Sequence, residues 1–295
     1  MYIVKAFSFN AGSIMMRSIQ IMIALAFLLP SVVADGVYRS LTALDQYGSS
    51  PQINNARLAS KLHSMPTIVT SSGCSLITIT LEKKRPGAVP RNKCNIIGES
   101  EECKLATIGS GLSGDAAFLN RLLRRDVMHT WERYDAIPDC SRVAHTASRI
   151  MLAFMGYEDD VRDGSMDVLM DDNGDRLSIG RPLAVNLIIA RLDMDGFVEI
   201  RLVEPSGVVS DEILGRVLGR GCQKGTELLR QRWRDDMDVE KTEEVCIGIM
   251  IEITLSEYLV GDHGGEDDYC IVVEVLDCKN GLTIKRIPFA KEQKR

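Results

Sequence analysis

The chain has 295 residues, enough for one large domain or two small ones. Hydrophobic residues make up 45% and charged residues 26%, and these proportions exclude a chain that is disordered throughout. Its 35 basic and 41 acidic residues give a net charge of −6, so we do not expect the basic face of a general nucleic-acid binder.

The first 34 residues differ from the rest of the chain. An uncharged, mostly apolar run follows Lys5 and Arg17, and the small residues 32–34 (VVA) precede Asp35. This order of basic, apolar and small residues is typical of a secretory signal peptide, and the apolar run is short for a bilayer span. We predict that residues 1–34 are either a signal peptide or an extension upstream of the true start.

The next part of the chain shows a helix followed by strands. Apolar residues at three-residue steps over 53–62 indicate a short amphipathic helix. β-Branched residues over 67–70 and 75–81 predict a hairpin, and the charged, proline-containing stretch 82–91 predicts a loop or strand end. A small strand is expected at 105–108.

Two helices are expected in the middle of the chain. A glycine-rich turn leads into a helix over 115–134, with Asp115 as its N-cap or first-turn acid, and a second helix covers 141–155. The acidic stretch 158–178 predicts an exposed excursion.

The second half of the chain repeats this alternation of strands and helices. Asp-Gly and Asn-Gly dipeptides mark two hairpins, and a helix pair lies between them. The predicted strands are 185–192, 197–203, 269–276 and 282–287, with a further strand and loop over 208–219. The predicted helices are 222–233 and 239–253. Strand blocks separated by paired helices predict an α+β fold with two packed sheets and outer helices, a four-layer αββα sandwich.

The chain contains five short motifs in this order: 81–84 (LEKK), 111–116 (GLSGDA), 181–185 (RPLAV), 204–207 (EPSG) and 219–221 (GRG). Together they resemble motifs of proteasome α-type subunits, members of the N-terminal nucleophile hydrolase superfamily. No single string is specific, but five in order at matching distances support the resemblance, which runs from about Tyr38 to Met250. It implies the αββα sandwich of that family over residues 67–295.

The N-terminal signature of that family is matched only in part. The matching residues are Tyr38, Thr42, Gly48, Gln52, Ile53 and Ala56. The family's Pro and Arg correspond to Gln46 and Ser49, and its Glu-Tyr corresponds to Asn54-Asn55. The resemblance implies that residues 35–66 form an N-terminal tail and a ring-interface helix, which includes Ala59. Because several of the family's gate residues are replaced, we expect the tail to close the axial pore poorly.

The resemblance implies a noncatalytic α-type subunit of the 20S proteasome core in the cytoplasm and nucleus. Its expected partners are other α subunits in a seven-membered ring, β subunits and activator particles, with no nucleic acid and no membrane unless residues 1–34 are retained. Such a ring templates β-ring assembly and gates substrate entry for ubiquitin-dependent degradation. Activator tails bind a family lysine, for which Lys93 and Lys104 are the nearest candidates.

Catalytic relatives in this superfamily use an N-terminal Thr that is released after a Gly, with its own amine as the base. Here Met65 and Pro66 precede Thr67, so no Gly stands at the cleavage position. We predict that Thr67 is a β-branched strand residue and that 82–84 (EKK) is a solvated strand end. No catalytic residue is predicted, and the chain is not expected to be an enzyme.

Metal and cofactor sites are not expected either. The four His are scattered, and the eight Cys include no pair with CxxC spacing. The stretch 109–114 (GSGLSG) matches a dinucleotide-binding pattern by letters, but two helices follow it without the parallel strand that such a site requires.

Two alternatives stay open at this point. In the first, the chain is a secreted or organellar paralogue that acts as a structural or binding module outside the proteasome. The signal-like segment, the altered gate positions and the acidic stretch 158–178 favour it. In the second, the chain is an active hydrolase processed at Thr67, against which Pro66 argues.

Overall fold

The computed structural model describes residue 44 and residues 50–62, 64–83, 92–155, 181–211, 213–257 and 269–289. The predictions for residues 1–34, Tyr38, Thr42, Gly48, Lys84 and the stretch 158–178 lie outside these residues. Residues 53–295 form one compact unit, and the fold below is that of its described part.

The described residues form five helices and nine strands. The helices are α1 (Pro51–Leu62), α2 (Ser113–Tyr134), α3 (Cys140–Phe154), α4 (Cys222–Arg232) and α5 (Val239–Glu257). The strands are β1 (Thr67–Ser72), β2 (Ser75–Lys83), β3 (Cys94–Glu99), β4 (Cys103–Gly111), β5 (Val185–Asp193), β6 (Val198–Val203), β7 (Gly215–Leu218), β8 (Tyr269–Asp277) and β9 (Gly281–Pro288).

The strands form two antiparallel sheets. One has the order β7-β1-β2-β8-β9 and the other the order β3-β4-β5-β6. The predicted mixture of helices with two sheets is therefore confirmed, and so are the hairpins at the Asp-Gly and Asn-Gly dipeptides.

Three clusters of buried apolar residues hold the fold together. The four-stranded sheet packs on α2 and α3 through residues such as Leu105 and Met151. The five-stranded sheet packs on α4 and α5 through residues such as Ile79 and Ile249. The third cluster, which includes Leu76 of β2, joins the two sheets directly. Each fully buried Leu or Ile contributes about 1.5–3 kcal/mol relative to an exposed one.

The strand β3 is not predicted from the sequence, and β4 is longer than the predicted strand at 105–108. A register shift between Ile96 and Gly98 interrupts the pairing of β3 with β4 and breaks the alternation that marks a strand. Gly98 lies where Val127 and Ile137 pack closely, so a side chain there has little room. The close packing around position 98 therefore explains the glycine there, although glycine is uncommon in strands.

The strand β9 forms one edge of the five-stranded sheet and is mostly exposed. It carries Lys285 and Arg286 and ends at Pro288. The Lys285 ammonium donates to both carboxylate oxygens of Glu243 in α5, at 2.8 and 3.0 Å. The edge strand is thus attached to the helix layer by an ion pair.

A buried carboxylate joins the start of α2 to the segment before β5. Asp115 accepts two hydrogen bonds from the Arg181 guanidinium, at 2.7 and 2.8 Å, and one from the amide of Ala184, at 2.9 Å. The N-cap position is Leu112, with no side-chain cap, so Asp115 is a first-turn acid and not an N-cap. Burial opposes its ionisation, but the bonds from Arg181 and Ala184 outweigh burial and lower the pKa of Asp115.

We expect Asp115→Asn to lower the free energy of unfolding by about 2 kcal/mol, because a charge-assisted pair of hydrogen bonds is lost. The folded pKa is lowered, so the contribution is complete above the usual value of 3.8 and is lost as the pH falls through the folded value. Urea unfolding of both proteins at neutral and acidic pH measures this. Asp195→Asn, in an exposed turn, is the control and should change little; equal effects of the two variants would contradict the prediction.

Candidate functional site

The helix α1 lies across the ends of strands from both sheets. The Arg57 guanidinium donates to the Glu204 carboxylate at 2.8 Å and to the Ser206 hydroxyl at 3.1 Å, in the turn that follows β6. Gly207 closes that turn with a φ of 77° and accepts a hydrogen bond from Ser148 of α3. The turn is therefore fixed between α1 and α3.

Small polar side chains attach the end of α1 to the four-stranded sheet. The Asn186 amide of β5 donates to the Ser60 hydroxyl at 2.9 Å, and the Ser64 hydroxyl donates to the Ser60 carbonyl at 2.6 Å. The Ser110 hydroxyl of β4 donates to the Ser64 hydroxyl at 3.0 Å. All four side chains are buried, so their mutual hydrogen bonds avoid the cost of unpaired polar groups.

The connection from α1 to β1 also contacts the segment that follows β7. The Arg220 amide donates to the Ser64 carbonyl at 3.3 Å, and its guanidinium donates to the Leu62 carbonyl at 3.1 Å. Gly219 has a φ of 83°, and a side chain there would meet the Met65 carbonyl. Glycine at this position therefore permits both the turn and the close approach of the two backbones.

The outer face of α1 is exposed and carries two leucines one turn apart. Leu58 is 53% exposed and Leu62 is 52% exposed, and the exposed polar residues beside them are Asn54, Asn55 and Lys61. Residues four apart on a helix are neighbours, so the leucines form one small apolar patch. We call Leu58 and Leu62 the α1 patch.

The interface residues predicted from the sequence are distributed differently around α1. Ala56 is only 6% exposed and faces the chain's own fold, whereas Ile53 and Ala59 are half-buried. Gln52 lies in the first turn of α1. The ring-interface role of these residues stays a prediction, but the side chain of Ala56 is not presented to a neighbour.

Thr67 is a buried strand residue, as the sequence predicts. It begins β1 and lies between Thr80 of β2 and Leu218 of β7. Its hydroxyl donates to the Met65 carbonyl at 3.4 Å, and the Pro66 carbonyl accepts a hydrogen bond from β2. The residues before Thr67 are therefore integrated into the sheet.

Polar side chains line the inter-sheet face of β2 and β8 near Thr67. Alternate strand residues share a face, so Thr78, Thr80 and Glu82 lie on the same face as the core residue Leu76. Glu274 of β8 lies directly across from Thr78. Among the described residues, the hydroxyls of Thr78 and Thr80 are buried without a hydrogen-bond partner.

The Glu274 carboxylate attaches the start of β3 to the five-stranded sheet. It accepts hydrogen bonds from the amide of Lys93, at 2.9 Å, and from the amide of Cys94, at 2.7 Å. Burial raises the pKa of Glu274, with the nearby Glu82 adding to the rise and the two amides opposing it. Burial also lowers the pKa of Lys93, although Glu82 and Glu274 oppose that change.

The two lysines predicted to bind activator tails lie in different surroundings. Lys93 is half-buried near Glu82 and Glu274. Lys104 is buried, and its ammonium contacts the Asp277 carbonyl at 3.3 Å and the Glu99 carboxylate at 3.2 Å. The role of both lysines in binding activator tails stays a prediction.

No protein-family model and no curated protein matches this sequence. Within the described ranges, no group of three or more His, Cys, Asp or Glu side chains could hold a metal ion. No helix among the described elements is long and apolar enough to cross a membrane.

The contacts that position α1 join residues that are far apart in the sequence, and none of them was predicted. Arg57 and Glu204 are separated by 147 residues, and Ser60 and Asn186 by 126. Isolated serines and asparagines carry no periodic signal. The turn at 204–207 and the glycines at 219 and 221 lie in motifs that are recognisable in the sequence. The sequence does not indicate that these motifs contact α1.

We expect Glu274→Gln to remove a pH-dependent component of stability. A carboxyl whose pKa is raised on folding destabilises the folded state as the pH rises from the usual value of 4.5 through the folded pKa. The free energy of unfolding of the variant relative to that of wild type should therefore rise over that range and stay constant above it. Urea unfolding between about pH 4 and pH 8 measures the difference. Glu101→Gln on the exposed surface is the control, and parallel pH curves for Glu274→Gln and wild type would contradict the prediction.

Proposed function

We propose that the chain is a noncatalytic, α-type ring subunit of a proteasome core, and that α1 packs against a neighbouring subunit through the α1 patch. The observation that carries this proposal is the position of α1. Its inner face is attached to the four-stranded sheet and the turn after β6 through Arg57, Ser60 and Ser64. Its end is attached to the segment after β7 through Arg220, while its outer face exposes Leu58 and Leu62. A helix that is fixed on one side and exposes two neighbouring leucines on the other is suited to a subunit contact.

The packing of the fold supports the proposal. The three buried clusters lie between helices and sheet, between the two sheets, and between the second sheet and its helices. This order is consistent with the four-layer αββα sandwich of the N-terminal nucleophile hydrolases, which we propose as the finer description of the fold.

The family-like motifs support it in a second way, because they contact each other or α1. The stretches 111–116 and 181–185 meet through the ion pair of Asp115 with Arg181. The stretch 204–207 contacts Arg57, and the stretch 219–221 contacts the end of α1. Two of the five motifs, 204–207 and 219–221, thus help to position α1.

The surroundings of Thr67 support a noncatalytic role. Pro66 and not Gly precedes it, and its side chain is fully buried in β1. Nucleophilic catalysis by threonine requires a free N-terminal amine as the base. The proposed role is architectural: closed rings form from one heterologous contact repeated about an axis, and the proposed partners are other α subunits, β subunits and activator particles.

Native mass spectrometry of the tagged endogenous protein tests the proposal directly. We expect it to co-purify with the α and β subunits of a proteasome core. N-terminal peptides from the same sample show where the mature chain begins. A lone chain that begins at Asp35 would contradict the proposal and favour the secreted or organellar module. A chain that begins at Thr67 would favour the processed hydrolase.

The double variant Leu58→Asp, Leu62→Asp should lose at least about tenfold in incorporation into the core particle, because two charges would be buried at the contact. Native gels of cells that express the tagged variants measure the incorporated fraction, and the soluble level of each variant reports folding. The matched control is Leu58→Met, Leu62→Met, which keeps the patch apolar and should assemble normally. Normal incorporation of the Asp variant would exclude the α1 patch as the interface.

A further inference from the structure

Two cysteines face each other at the end of the β2–β8 ladder. The last register pair of that ladder is Ser75 with Asp277. Cys74, in the β1–β2 turn, and Cys278, in the β8–β9 turn, are the next residues outward from this pair. The turns are therefore neighbours, and a disulfide can form where the Cα atoms come within about 4.4–6.8 Å of each other.

Both cysteines point to the same side of the sheet. Cys278 belongs to the buried cluster between the two sheets, and Cys74 packs against that cluster. The Cys278 thiol lies 3.2 Å from the backbone carbonyl of Cys74, and both thiols are reduced in the structure. The Cys74 thiol also lies 3.5 Å from the Asp277 carboxylate and the Cys278 thiol 3.1 Å from the Asp193 carbonyl, so the two side chains must rotate away from these contacts for the sulfurs to meet.

The two thiols differ in their access to solvent. Cys74 is half-buried and follows the exposed Gly73 in the β1–β2 turn, whereas Cys278 is buried. Burial raises the pKa of Cys278 to about 11, with Cys74 and Asp277 adding to the rise and Lys104 opposing it. An oxidant from solvent therefore reaches Cys74 first, and Cys278 is placed to react with the product.

We propose that Cys74 and Cys278 form a reversible cross-strand disulfide when the protein meets a hydroperoxide. The Cys74 thiolate attacks the peroxide, which is reduced to an alcohol or water, and Cys74 becomes a sulfenic acid. The Cys278 thiol then displaces hydroxide from that sulfur, so that the S–S bond forms and one water leaves. The two electrons that reduce the peroxide come from the two thiols.

The bond would tie the β1–β2 turn to the β8–β9 turn. It would close a loop that spans residues 74–278 and so contains most of the described fold. Such a crosslink restricts the unfolded chain, so the oxidised protein should resist unfolding more than the reduced one. The inference rests on the ladder register and is independent of the ring-subunit proposal.

The test uses the full chain, reduced with dithiothreitol, freed of reductant and treated with hydrogen peroxide. Peptide mapping without reduction should find Cys74 linked to Cys278, with loss of two hydrogens from the intact mass and a higher Tm. Renewed dithiothreitol should reverse both changes. Cys74→Ser and Cys278→Ser should each abolish the linked peptide.

Cys222→Ser is the matched control, because Cys222 is also half-buried but lies at the start of α4, outside the ladder. It should form the linked peptide as the wild type does. The wild-type mapping alone decides the proposal if a variant fails to fold. Oxidation of Cys74 to a sulfinic acid while Cys278 stays a thiol would overturn the proposal, as would a linkage of Cys74 to any other cysteine.

Discussion

The central strands of both sheets are buried on both faces, and this constraint governs the rest of the fold. Each central strand is buried on its helix side and on its inter-sheet side, as the near-continuous burial of β2, β5 and β8 shows. A strand in that position cannot carry charged side chains unless they find partners inside. Glu274 satisfies this condition through two amides at the start of β3. Polar residues that attach other elements are therefore concentrated at the strand ends.

One consequence is that α1 has a defined position although apolar packing contributes little to it. Its contacts are made by arginine, serine and asparagine side chains that reach residues just beyond the strands. Polar contacts with fixed geometry specify an orientation more strictly than apolar packing does, because each donor must face its acceptor. The outward direction of Leu58 and Leu62 follows from that orientation.

The sequence predicted the elements better than it predicted their attachments. The helices and hairpins were predictable because periodicity, alternation and turn dipeptides are local signals. The strand β3 was missed because a bulge interrupts its alternation. Asp115 is a first-turn acid of α2, one of the two predicted roles, but its partner Arg181 lies 66 residues away and was not predicted. Ala56 fits an interface motif by letter, yet its side chain is buried within the chain. Long-range pairs of polar residues leave no local pattern, so the candidate site needed the structure.

The edge strand β9 affects the tendency of the chain to pair with a second copy of itself. An edge strand offers unpaired backbone groups to other chains and is a common starting point for aggregation. Here that edge carries Lys285 and Arg286, and Pro288 at its end has no amide hydrogen to donate. If β9 of a second copy paired with this edge, the basic residues of the two strands would come close together. The ladder would also lack the hydrogen bond that the amide of residue 288 would donate. This exposed edge of the larger sheet is therefore protected against pairing with the edge of a second copy of the chain.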